Sequence, residues 1–129
     1  MDWMAVKAAN RELSDRETSQ KLTRLKSRPL FFWLAIGGPC NLECAHCGFR
    51  KFGRTSDLDI SDAVYEKVLE EVFPTAYECL LGGENWGEMT ISSKFHRVLK
   101  DAKRYQVKVH LTTTARAWSM SGSAISWTR

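Results

Sequence analysis

Apolar residues fall along this chain in two alternating rhythms. Leu30-Phe-Phe-Trp-Leu-Ala-Ile36 is an unbroken apolar run of strand length, closed by Gly37-Gly38-Pro39. Continuous hydrophobicity of that length predicts a strand buried on both faces, as in a parallel sheet. Ile60, Val64, Val68, Leu69, Val72 and Phe73 then recur at helical spacing, with Asp59 or Ser61 as N-cap and Pro74 as the stop. Ala76 to Leu81 reads as a second strand. Ile91, Phe95, Val98, Leu99 and Ala102 mark the next helix, and Val107 to Leu111 a third strand. Strands alternating with helices predict an α/β fold, a parallel sheet of about three strands with the helices outside it.

The two ends of the chain break this rhythm. Met1 to Arg28 is polar, lacks glycine and is rich in helix formers. Ser14 with Glu17 fits a capping box for a helix continuing toward Leu25, and Pro29 closes the segment. Residues 1–29 therefore read as a helical polar leader, an appendage with no catalytic part. Residues 30–113 carry the strand–helix alternation. Residues 114–129 contain no acidic residue and no helical period, and are expected to be an irregular tail.

Composition narrows the class only a little. A chain of 129 residues holds one domain, and 43% hydrophobic with 26% charged residues is ordinary for a soluble protein. No apolar run is long enough to span a bilayer and no signal peptide opens the chain, so a cytoplasmic protein with no membrane partner is expected. Most of the net charge of +4 lies in the leader, where Lys21, Arg24, Lys26 and Arg28 cluster. Aromatic residues do not interleave with them, so a solvated face is the reading and nucleic acid is not an expected partner.

Cysteine usage changes the picture more. Cys40, Cys44 and Cys47 follow a C-x3-C-x2-C spacing between glycines, and the fourth cysteine, Cys79, lies inside the second strand. Crowded cysteines in a reducing compartment are metal ligands rather than a disulfide framework. A cubane iron–sulfur cluster takes four ligands, so three thiolates leave one iron open. An open position binds a substrate or cofactor instead of stapling a structure. Two rivals remain: a small zinc-binding interaction module with a Cys3His site on Cys40, Cys44, His46 and Cys47, and a closed iron–sulfur electron carrier that recruits Cys79. Against zinc, His46 adjoins Cys47, and neighbouring residues rarely both reach one tetrahedral centre.

This spacing, with a strand before it, a helix after it and Gly82-Gly83-Glu84 closing the next strand, resembles the cluster loop of the radical S-adenosylmethionine (radical SAM) superfamily. The resemblance covers Leu30 to Thr113, about two-thirds of the chain but only the first half of that family's barrel. It implies a partial (β/α) barrel in which Cys40, Cys44 and Cys47 bind a [4Fe–4S] cluster. S-adenosylmethionine would chelate the open iron, and reductive cleavage by an external electron donor would yield a 5′-deoxyadenosyl radical that acts on an unknown substrate. By the same resemblance Gly82, Gly83 and Glu84 hold the methionyl amino group, and His46 stands where the family usually places an aromatic residue near the adenine. In that family the third strand often runs into Thr-Asn-Gly-Thr and an amphipathic helix. Here Thr112-Thr113 is followed by Thr114-Ala-Arg-Ala-Trp118. The expectation is a shifted reading frame near Thr113 and an enzyme fragment inactive alone.

Overall fold

The computed structural model describes residues 1–37, 40–42, 44, 45, 47, 59–82 and 87–113. Its first element, α1 (Trp3–Ser19), is one helix whose N-cap is Asp2, with the carboxylate accepting from Met4 N at 3.0 Å and Ala5 N at 3.2 Å. The expected capping box is not used: Ser14 lies inside the helix, and the helix ends well before Leu25. Lys21 stops it, in the left-handed region at φ 54°, while Lys21 N–H donates to Thr18 O and Leu22 N–H to Glu17 O. That pair of bonds is a Schellman C-cap, formed here without the usual glycine.

Three four-residue strands, β1 (Phe31–Leu34), β2 (Glu78–Leu81) and β3 (Lys108–Leu111), form a parallel sheet in that order. The register places Phe32 opposite Cys79 and Cys79 opposite Val109. Two residues on, Leu34, Leu81 and Leu111 align on the same face. These six side chains join the core that α2 (Asp62–Glu71), the turn after it and α3 (Phe95–Arg104) complete with Tyr65, Leu69, Phe73, Phe95, Val98 and Ala102. The opposite face is open. Phe31 is 50% and Trp33 71% exposed, so the apolar run marks a strand buried on one side only. An α/β fold with a three-stranded parallel sheet is what the alternation predicted.

Helix α2 begins at its Ser61 cap, and of its expected inward face Leu69 and Phe73 are buried and Ile60 and Val68 pack against the core, with Val64 the exception. Val64 is 52% exposed while Tyr65 is fully buried. Tyr65 buries the larger ring, packs edge-on to Phe73 at 6.4 Å, and satisfies its hydroxyl on Asp101 Oδ2 at 2.8 Å. A polar ladder joins α2 to the start of α3: Lys94 pairs with Asp62 at 2.5 Å, and Arg97 pairs with Glu66.

The N-terminal helix is not a loose appendage. Lys7, fully buried, donates to Gln106 O at 2.9 Å, and Asn10 bonds both the N–H and the carbonyl of Arg28. Trp3 packs on Tyr105 at 4.6 Å between ring centroids, and the Arg11 guanidinium lies over Tyr77 at 4.4 Å. Arg28, Tyr77 and Gln106 each precede a strand, so α1 lies across the end of the sheet where the strands begin. The opposite end, where they finish, is left for the cysteines. Residues 114–129 lie outside the described residues.

Candidate metal and cofactor site at the strand exits

In a parallel sheet all strands deliver their last residues to one edge, and the loops leaving that edge carry the chemistry of barrel and open α/β folds. Strand β1 leaves its buried end at Ile36, and the chain passes Gly37 to Cys40, Cys44 and Cys47. All three thiols are free and half-buried, and a turn in which Cys47 N–H donates to Cys44 O at 3.1 Å spaces the last two. The segment returns at Asp59, which forms an antiparallel bridge with Gly37, and Ile60 N–H donates to Ile36 O at 2.9 Å. Both ends of the cysteine segment are thus tied to the tip of β1.

The neighbouring strand β2 ends beside it. Gly82 N–H donates to Leu34 O at 2.9 Å, extending the ladder by one bond. Gly82 has φ 84°, and a Cβ there would meet Met89 Cγ at 2.6 Å. Both the backbone and the space demand glycine. Gly83 and Glu84, like His46, lie outside the described residues.

Past them, Glu88 is buried and caps a short 3-10 turn (Met89–Ile91), accepting from Thr90 N at 3.2 Å and from Thr90 Oγ1 at 2.7 Å. Thr113, just beyond β3, donates to the same Glu88 oxygen at 2.6 Å. Glu88 is therefore a turn cap, and it also joins the exits of β2 and β3. Its link to Thr113 was not visible in the sequence.

Cys79 has no part in this edge. It is fully buried, belongs to the core cluster on the helix-covered face, and burial pushes its thiol up to about 12. Metal binding needs the thiolate, so a closed cluster completed by Cys79 is disfavoured. His110 bonds Glu78 at 2.8 Å across β2 and β3 on the open face.

Among the described residues no three Cys, His, Asp or Glu side chains converge closely enough to hold a metal ion. The donors nevertheless suit an iron–sulfur cluster in kind and number. Three soft thiols lie on one segment pinned at both ends, and drawing such ligands together is work that metal binding itself performs. No helix among the described residues is long and apolar enough to cross a membrane. Comparison of the chain with protein-family models, with curated proteins and with solved structures finds no match.

Proposed function

We propose that this chain is the first part of a radical SAM barrel, binding a [4Fe–4S] cluster through Cys40, Cys44 and Cys47 and S-adenosylmethionine through Gly82, Gly83 and Glu84, with His46 beside the adenine. The observation that carries the reading is positional. The cysteine segment and Gly82 leave adjacent parallel strands at the same edge, tied by the Gly82 N–H to Leu34 O bond.

Each residue has a defined task. The three thiolates supply soft donors and leave one coordination position open. Gly82 brings the backbone close to the neighbouring strand, where carbonyl oxygens and the Glu84 carboxylate can accept from an ammonium group. Glu88 and Thr113 hold the β2 and β3 exits together. A cluster held by Cys40, Cys44 and Cys47 would supply one-electron reducing chemistry toward a sulfonium bound at its open position. The open sheet face, with Phe31 and Trp33 exposed, is what the interior of a partial barrel presents.

Anaerobic reconstitution with iron and sulfide tests the proposal. The expected product is brown, oxygen-labile and carries about four irons per chain. A colourless protein holding one zinc would replace this function with the interaction-module reading. In the reconstituted protein Glu84→Ala should weaken S-adenosylmethionine binding by roughly tenfold or more with iron content intact, as loss of one charge-assisted hydrogen bond implies.

A further inference from the structure

Asp59 stands where three parts of the strand-exit edge meet. Its backbone bridges to Gly37 and closes the cysteine segment onto β1. Its side chain leaves in another direction: Oδ2 accepts from Ser93 N at 2.9 Å and from the Ser93 hydroxyl. Ser93 lies two residues past the 3-10 turn, whose Met89 packs against Gly82 at the exit of β2. A single carboxylate thus ties the far end of the cysteine segment to the segment that follows Gly82.

The remaining contacts set this apart from an ordinary surface clamp. Burial alone would push the Asp59 carboxyl up, yet hydrogen bonds from Ser93 and Ser92, with Lys94 nearby, hold it below the ordinary carboxylate range. The acid is therefore charged, and its bonds to Ser93 are of the stronger, charge-assisted kind. Its other oxygen, Oδ1, is buried with no partner among the described residues. A buried unpartnered oxygen costs stability, so part of what the Ser93 bonds contribute to the fold is offset, while their effect on position is not.

We propose that Asp59 is the positioning residue of the cysteine segment, holding Gly37, three residues before Cys40, and the segment's far end to the turn after β2 through Ser93. The consequence for a bound cluster rests on the function proposed above; the consequence for the free thiols does not.

Two measurements separate these. In the metal-free chain, alkylation of each cysteine is followed by mass spectrometry in wild type, Asp59→Ala, Ser93→Ala and Asp59→Asn. Losing the charge-assisted pair should speed modification of Cys40, the cysteine next to the Gly37 bridge, by about tenfold in Asp59→Ala. Ser93→Ala should act in the same direction with a smaller factor, since the Ser93 N–H remains. Asp59→Asn, which keeps a carbonyl acceptor, should restore most of the protection. Tyr65→Phe serves as the stability control: it loses the bond to Asp101 inside the α2–α3 pair and should leave thiol modification unchanged.

In the reconstituted protein, iron release to a chelator should follow the same order. Equal alkylation in wild type and Asp59→Ala, or acceleration by Tyr65→Phe to the same degree, would overturn the role of Asp59. If wild type takes up no iron while alkylation still follows the predicted order, the cluster reading fails and the positioning role stands.

Discussion

Replacing Gly82 with alanine tests the construction of the strand-exit edge at its tightest point. Two costs follow from the structure. Gly82 sits at φ 84°, where a side chain costs about 1–2 kcal/mol. The new Cβ would also lie 2.6 Å from Met89 Cγ, and Met89 is almost fully buried in the core cluster, so it has little room to yield. Overpacking of this kind costs about 1–3 kcal/mol. Gly82→Ala should therefore lose about 2–5 kcal/mol, a large share of the roughly 5–15 kcal/mol available to a small domain.

Urea unfolding followed by circular dichroism reads the loss, and a double-mutant cycle separates its parts. Met89→Ala alone opens a cavity and should cost about 2–5 kcal/mol. Combined with Gly82→Ala it removes the overlap, so the pair should cost less than the sum by about 1–3 kcal/mol. Two results would refute the reasoning: Gly82→Ala within about 0.5 kcal/mol of wild type, or a double variant additive within about 0.5 kcal/mol.

Other expectations follow from single side chains. At pH 8 a thiol reagent should modify Cys40, Cys44 and Cys47 and leave Cys79 untouched, because the Cys79 thiol, pushed up to about 12 by burial, stays protonated and enclosed; modification of Cys79 in folded protein would contradict its core placement. The Glu17 carboxyl is held below its ordinary 4.5 by the N–H groups of Lys26 and Ser27. The stabilisation it gives should therefore be complete above pH 4.5 and vanish as pH falls through the lower folded value. Glu17→Gln should flatten that acid limb in a melting series, and an unchanged limb would assign it to other carboxylates. Trp33→Ser on the open sheet face should change stability by no more than about 0.5 kcal/mol while reducing binding of a hydrophobic dye; a large stability loss would mean that this face is covered.

The sequence and the structure part company at identifiable places. Strand and helix order was legible because buried strands and the α3 stripe of Phe95, Val98 and Ala102 leave a strong pattern. On α2 the pattern marks Leu69 and Phe73 correctly but takes Val64 for Tyr65, because Val64 looks more apolar. What buries Tyr65 is a hydroxyl partner, Asp101, 36 positions away. The ends of α1 and α3 were hidden because Lys21 and Gln106, not glycines, take the left-handed positions. One-sided burial of β1 could not be read from Phe31 and Trp33 themselves, since an apolar run looks the same whether one face or two is covered.

At the site, local chemistry was legible and long-range chemistry was not. The cysteine spacing and the glycine after β2 stand out within a few residues. Asp59 was expected to compete with Ser61 for the cap of α2; Ser61 takes the cap, and Asp59 reaches Ser93, 34 positions on. The same holds for Glu88 and Thr113, and for Lys7, whose partner Gln106 is 99 positions away. No spacing rule connects such pairs.

The proposed cluster needs Cys40, Cys44 and Cys47 and leaves Cys79 out. Iron and sulfide analysis after anaerobic reconstitution of Cys40→Ala, Cys44→Ala, Cys47→Ala and Cys79→Ala tests it most directly. Each of the first three variants should lose the cluster and its broad visible absorbance, whereas Cys79→Ala should retain about four irons per chain. Full iron retention in any of the first three, or loss in Cys79→Ala with the fold intact, would contradict it.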